Sequence, residues 1–445
     1  MNYQAAERFL LSLSNIPRHE YMNGTRATRT FLKRLQYFLT ELGNPEKKIP
    51  HYIHVTGTSG KGSVATYLAS ILSASGQKTG LYVSPHPSRL TERWLIDGRA
   101  MGQGEFARII TKFKPLLDEY LRHSPYDMVS FFDLTTAIAL AYFAEKHVDW
   151  AVIEVGCGGR YDSTNVIPHK DIAVITTIGL DHAELIGPTK KDIAREKAGI
   201  IKPGAAVFTI ETNPEILGVV AAEARKQKVA TVNVSPLRAF NNIERHSFLA
   251  KFTYGGQDYI LPHLGTHQIT NAALAIDIAQ SLGLEYRAIA RGLGRAEQPL
   301  RLEVAQSNPL IILDGAHNPD KMATTVAAVA DLAASRRGSV HLVIGFSDNK
   351  DTRGMIRQLA KLQPRSVATT RATTDQLRKT AHPRIMADRL RGLLASAPVQ
   401  PFLDPDDAYD WSRRRLKRND ILLVTGSIFL SGQLRLRLTK NHPRR

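Results

Sequence analysis

Cysteine is almost absent. The single one, Cys157, excludes an intramolecular disulfide and suits a reducing compartment. Long apolar runs are missing too. No stretch reaches the roughly 18 apolar residues of a membrane span, and the opening MNYQAAERFLLSLSNIPRHE carries acidic residues and lacks the apolar centre of a signal peptide. A cytoplasmic protein with no membrane partner is therefore expected. Neither internal repeats nor low-complexity tracts occur, which excludes a solenoid or a linker-like chain. Acidic side chains are in deficit: 41 Asp plus Glu against 59 Lys plus Arg leave a net charge of +18. Such a field attracts anions, either small polyanions steered into a cleft or a nucleic-acid backbone. The basic runs, Arg413, Arg414, Arg415, Lys417 and Arg418, then Arg435, Arg437, Lys440, Arg444 and Arg445, lie late in the chain. No aromatics interleave with them as base stacking would need, so solvated faces and a frayed tail are the favoured reading, and nucleic acid is not the expected partner.

What is present is an ordinary globular composition, with 445 residues at 43% apolar and 22% charged, enough for two or three domains. Short β-branched or apolar runs alternate with helical patterns, the mark of an α/β chain. Candidate strands are Tyr52 to Val55, Thr79 to Val83, Trp150 to Val155, Ile172 to Ile178 and Ala206 to Ile210, then Leu310 to Leu313, Val340 to Ile344 and Ile421 to Val424. Between the two groups, RGLGRAEQPLRLEV interrupts the periodicity just after a helical stretch from Asn271 to Leu282. A boundary near residue 297 then separates domains 1–296 and 297–445. Both read as doubly wound α/β units, whose ligands bind at the carboxyl ends of strands and in the crevice between domains.

The segment HVTGTSGKGSVATYLASIL, residues 54 to 72, reads as strand, turn and helix. Val64, Tyr67, Leu68, Ile71 and Leu72 recur at helical spacing, and Gly76 closes the helix. The strict phosphate-loop pattern is not met: Val55 stands where its first glycine should be, and Gly62 separates Lys61 from Ser63. Even so, Gly57, Gly60 and Gly62 before a helix start can aim several backbone N–H groups at one phosphate chain, with the helix dipole behind them. Lys61 then supplies a point charge and Ser63 a hydroxyl for magnesium. The competing reading is a glycine-rich connection closed by an exposed lysine.

Further motifs follow in order: LGNPEKKIPHYIHVTGTSGKGS, YVSPHPSRLTER, SFFDLTTAIAL, VIEVGCGGRYDSTN, ITTIGLDHAELIG, DIAREKAGIIKPG, LGTHQITNAALA, RLEV, LDGAHNP and VTGSIFLSG. On these the chain resembles the folylpolyglutamate synthase and dihydrofolate synthase family of the Mur ligase superfamily. The resemblance spans nearly the whole chain and is weakest around residues 212 to 260 and 371 to 400. It implies a P-loop-type ATPase domain followed by a smaller Rossmann-like domain. The implied activity is ATP-dependent addition of L-glutamate to a folate-type acceptor through an acyl phosphate, by a monomer. ATP would be held by Gly57, Thr58, Ser59, Gly60, Lys61, Gly62 and Ser63, with Asn271 at the adenine and Arg301 and Asp314 reaching across from the second domain. Two magnesium sites are implied, one on Ser63 and Asp133 and one on His182 and Lys197. Lys197 looks like the family lysine that is carbamylated, which turns an ammonium into an oxygen ligand suited to a hard cation. Lys61, Lys197 and His317 take catalytic roles by the same resemblance, and His86, Arg93 and Ser427 fall at substrate positions.

Taken singly, these residues have plainer readings. Asp133 suits an N-terminal charge or cap on a helix from Leu134 to Ala144, His182 a turn, Lys197 an amphipathic surface, Cys157 a buried filler, and Arg301 and His317 an interdomain bridge or cap. The chain also departs from the family at Ser59 in place of Asn, Asp133 in place of Glu, Leu300 in place of a glycine and Cys157 in place of an apolar residue. Two alternatives stay open: a Mur-type ligase with a non-folate acceptor, and a basic nucleic-acid-binding protein that uses ATP as a switch. The ligase reading requires residues 54 to 63 to share a cleft with positions 301 and 314.

Overall fold

The computed structural model describes residues 1–15, 30–180, 183–235, 240–246, 249–374, 379–394 and 396–441. The N-terminal lobe is built on an eight-stranded sheet. Its order is Arg99–Ala100, Trp94–Ile96, Thr79–Tyr82, Trp150–Glu154, His51–Thr56, Ile172–Ile175, Ala206–Thr209 and Val232–Val234. The last six run parallel and the first two are added antiparallel at one edge. Its inner strands are buried along their length, which is why they read as continuous apolar runs rather than as alternation. One face is covered by the helices Lys61–Ala74 and Thr266–Ser281, whose Val64, Tyr67, Leu68, Ile71, Ile269 and Leu274 share one core with Ile53 and Val55. The helix Phe131–Glu145 packs on the other face, with Phe38, Trp94, Phe106 and Phe143 in its core.

The second lobe is a six-stranded sheet in the order Glu303–Ser307, Leu310–Leu313, Ile421–Thr425, Val340–Ile344, Ser366–Thr369 and Val399–Pro401. All but the edge strand Glu303–Ser307 run parallel. The helix Ile428–Asn441 reaches back to the first lobe, where Arg435 pairs with Glu303 of its own lobe at 2.9 Å and with Glu92 of the other at 2.8 Å. No helix among the described residues is long and apolar enough to cross a membrane.

Each expected strand is present, with differences at its ends. The run from Ile172 stops at Ile175 because Thr176 and Thr177 turn aside: Thr176 Oγ1 donates to the Ser59 carbonyl at 2.6 Å, and Thr177 forms an isolated bridge with Ser59. Among the described residues, two hairpins turned by left-handed residue pairs were not anticipated. Asp97 and Gly98 (φ 48° and 76°) join Trp94–Ile96 to Arg99–Ala100, and Gly255 and Gly256 (φ 56° and 76°) join two strands of a separate antiparallel sheet, Phe240–His246, Leu249–Tyr254 and Gln257–Leu261. Both are two-residue turns with positive φ at each position, the geometry that matches strand twist.

Candidate functional site

His51–Thr56 lies between Trp150–Glu154 and Ile172–Ile175, where the strand order reverses, and such a switch point opens a crevice at the carboxyl ends of the strands. The loop 57–60 leaves from that end and enters the helix Lys61–Ala74. Gly60 is the N-cap in a left-handed conformation (φ 87°), and no side chain caps the helix. A side chain could not replace it: a Cβ there would stand 2.5 Å from Asn271 Oδ1. Gly60 and not Ser59 carries the positive φ, so the serine in place of Asn meets no backbone strain. Loop shape is fixed from behind. Thr58 N–H donates to the Thr177 carbonyl at 2.7 Å, and the Thr58 hydroxyl donates to the Gly179 carbonyl at 3.1 Å.

Two lysines converge on one carbonyl. Lys61 Nζ donates to Gly57 O at 2.9 Å, and the buried Lys197 Nζ donates to the same oxygen at 2.8 Å. Ser63 is buried, and its hydroxyl donates to Gln298 Oε1 at 2.7 Å. Opposite the loop, a Cβ on Gly62 would stand 2.9 Å from Arg301 Nη2 and 3.3 Å from each carboxylate oxygen of Glu154. One point thus joins the glycine loop, an arginine from beyond the lobe junction, and a buried carboxylate. Burial pushes the Glu154 carboxyl up, while Lys61, the Ser84 N–H, Arg301 and Arg93 oppose that rise. Burial prevails, so the Glu154 carboxyl stays above its usual range beside the glycine loop.

Sequence reasoning passed over Glu154 and chose Asp133. The structure gives Asp133 other work. Its Oδ2 accepts from Arg34 Nε at 2.8 Å and from Ser130 N–H at 2.9 Å and pairs with Arg34 Nη2 at 2.6 Å, and its Oδ1 accepts from Ser163 at 2.6 Å. It closes a capping box with Ser130 on the helix Phe131–Glu145, the plainer of its two readings. The signal that could have found Glu154 was its place at the carboxyl end of the strand beside the loop, in VIEVG. His182 lies outside the described residues, as do Arg444 and Arg445. Among the described residues no group of three or more His, Cys, Asp or Glu side chains is placed to share a metal.

His86 and Arg93 meet each other, with Arg93 Nε donating to His86 Nδ1 at 3.2 Å and the guanidinium 5.3 Å above the Phe131 ring. Two residues before His86, the Ser84 N–H donates to Glu154 at 2.9 Å. In the second lobe, Asp314 is buried and accepts from Leu302 N–H, Ala316 N–H and the Thr325 hydroxyl at 3.0, 2.9 and 2.7 Å. It shapes its own loop, and through Leu302 it also holds the segment that carries Arg301. His317 Nδ1 lies 2.8 Å from the Gly315 carbonyl, which makes it the protonated nitrogen, and Nε2 accepts from Lys321 at 3.2 Å. Ser427 follows the neighbouring strand and accepts from Phe429 N–H. Leu300, where the family has glycine, adopts φ 58° and is buried.

Two family models match this arrangement: the Mur ligase middle domain over residues 120–279 and the glutamate ligase domain of Mur ligases over 300–428. The fold is that of a Mur-type ligase. A dihydrofolate synthase/folylpolyglutamate synthase of Bacillus subtilis is 34% identical over 421 residues, covering 92% of this chain and 94% of that protein. Its counterpart from Mycobacterium tuberculosis is 30% identical, covering 91% and 89%. The crystal structure of a folylpolyglutamate synthase from Thermotoga maritima superposes with a TM-score of 0.82 at 30% identity, over 99% of this chain and 98% of that one. An Escherichia coli FolC structure in complex with DHPP and ADP gives 0.78 at 27% identity, over 98% of each chain. The chain belongs to the folylpolyglutamate synthase/dihydrofolate synthase family.

Proposed function

We propose that this chain is an ATP-dependent ligase that adds L-glutamate to a folate-type acceptor, dihydropteroate or a tetrahydrofolate polyglutamate, through an acyl phosphate. The meeting of Gly62, Glu154 and Arg301 carries the reading, because it brings a phosphate-type loop of one lobe against an arginine that follows the lobe junction. A carboxylate is a poor electrophile until one of its oxygens carries a phosphoryl group and can leave as phosphate. Its oxygen attacks the γ-phosphorus, the bond to the bridging oxygen breaks and ADP departs. The amine of glutamate then attacks the acyl carbon, and inorganic phosphate leaves with the electron pair of the broken C–O bond. Two anions must approach in the first step, so positive groups that do not reorganise are needed around the transferring group.

Lys61 and Arg301 supply that charge from opposite sides. The loop N–H groups ahead of Val64, whose own N–H is the first to bond back, to Gly60, orient the phosphates. Asn271 sits against Gly60 at the adenine end. Ser63 and Glu154 are hard oxygen donors that fit a magnesium ion, which prefers one or two protein oxygens together with phosphates and water. Bound there, the ion would neutralise charge that develops on the transferring group. Lys197 holds the loop through Gly57. A carbamate at its Nζ would keep one N–H for that bond and add two anionic oxygens, and intact mass in bicarbonate buffer tests for it. His317 and Ser427, on adjacent strand ends, are assigned to the incoming glutamate, and His86 and Arg93 to the acceptor. Asp314 acts by fixing the position of Arg301.

The test gives purified protein Mg-ATP and glutamate with dihydropteroate in one tube and tetrahydrofolate in another. Products heavier by one or more glutamyl units are expected. If neither acceptor gains a unit while phosphate is released, the folate assignment fails and a ligase with another carboxylate acceptor remains.

A further inference from the structure

The segment 84–93, which carries His86 and Arg93, is held from both lobes. On the side of its own lobe, Leu90 is buried in the core that Phe38 and Trp94 share. Glu92 folds the segment on itself, its Oε2 accepting from the N–H groups of Ser88 and Arg89, both at 2.7 Å. The second lobe holds the other side. Its helix Ile428–Asn441 passes so close that a Cβ on Gly432 would stand 1.9 Å from the Pro87 carbonyl oxygen, a crossing that only glycine allows. Three residues on, Arg435 Nη1 donates to Glu92 Oε1 at 2.8 Å, the oxygen that the fold of the segment leaves over, and reaches Ser88 Oγ at 3.4 Å.

The same guanidinium serves a second carboxylate. Arg435 Nε donates to the two oxygens of Glu303 at 3.1 and 2.9 Å, and Glu303 Oε2 accepts from Leu300 N–H at 3.0 Å. Leu300 immediately precedes Arg301, which reaches the position of Gly62 and Glu154. Arg435 is 8% exposed, so salt screens these pairs little, and its planar fork fixes the angle between them. We infer that Arg435 is a positioning residue for the acceptor: it sets the segment 84–93 at a fixed distance from Arg301, so that the acceptor's carboxylate meets the transferring phosphoryl group. This rests on the acceptor role given above to His86 and Arg93. A displacement of about 1 Å in a group that places a reactant can cost about a hundredfold in rate.

The test compares steady-state kinetics of the unchanged protein, Glu92→Gln, Arg435→Gln and the double variant, with acceptor and ATP varied in turn. Glu92→Gln keeps an oxygen for the Ser88 and Arg89 N–H groups and removes only the charge facing Arg435. It should lower kcat/KM for the acceptor about tenfold or more and leave the KM for ATP within about twofold. The double variant should be no slower than Arg435→Gln, because both changes cut one contact. Losses that multiply in the double variant, an unchanged kcat/KM for the acceptor in Glu92→Gln, or equal losses toward acceptor and ATP there would each mark a packing role and overturn the inference. If the unchanged protein glutamylates neither dihydropteroate nor tetrahydrofolate, the acceptor reading itself fails and takes the inference with it.

Discussion

Two turns in this molecule share a plan and differ in what they enclose. Residues 57–60 and residues 314–318 each follow a buried parallel strand, contain glycine and open a helix. The second brings its own anion: Asp314 fills the turn from inside, and Asn318 caps the helix by accepting from Lys321 N–H. The first has no acidic residue and no side-chain cap, and it is ringed by Lys61, Lys197 and Arg301. One turn is complete as folded, while the other is arranged around an anion that must come from outside. That contrast separates a turn that supplies its own anion from one that awaits an anion more sharply than glycine content does.

If the contrast is right, removing charge should hurt activity at one turn and stability at the other. Lys61→Ala should lower turnover by about a hundredfold or more and shift the denaturation midpoint little, as steady-state kinetics and urea titration would reveal. Asp314→Ala should instead cost about 3 kcal/mol of stability because three donors lose their acceptor, and any fall in turnover should follow from the displaced Arg301. Comparable stability losses for both variants would erase the distinction.

Histidine offers a finer probe beneath the first turn. His263 packs against Tyr67 of the loop's helix, 3.1 Å from its hydroxyl, and burial lowers its pKa from 6.5 to about 4. Below pH 6.5 the unfolded chain binds the proton and the folded one does not, so stability present above that pH is lost as pH falls toward about 4. The loss approaches about 3 kcal/mol. His263→Gln should flatten that window, and an unchanged pH profile would reject the assignment. Beneath the second turn, Leu300 accepts from Gly315 N–H with a left-handed backbone. Leu300→Gly relieves about 1 kcal/mol of strain and forfeits about 2 to 3 kcal/mol of buried side chain. A small net destabilisation is expected by calorimetry, whereas a gain would mean that strain dominates there.

The parallel strands were legible because burial on both faces writes them as apolar runs, and the loop 57–63 because its glycines stand between such a run and a helical period. The hairpins at Asp97–Gly98 and Gly255–Gly256 carried a turn signal that the search for α/β units passed over. Glu154 was harder: it is the last residue of a buried strand with no other local mark, and only tertiary contact with the position of Gly62 brings it to the loop. Asp133 was ambiguous instead. Its sequence position fitted both a ligand and a cap, and Arg34, 99 residues away, decides for a structural partner.

The central claim is that the lobes together hold a triphosphate so that its terminal group passes to a carboxylate oxygen. An acceptor whose reacting carboxylate carries ¹⁸O tests this directly. The account predicts that, for each amide formed, the released inorganic phosphate carries one ¹⁸O taken from the acceptor. Phosphate free of label, with the displaced ¹⁸O found in water while the amide still forms, would contradict it.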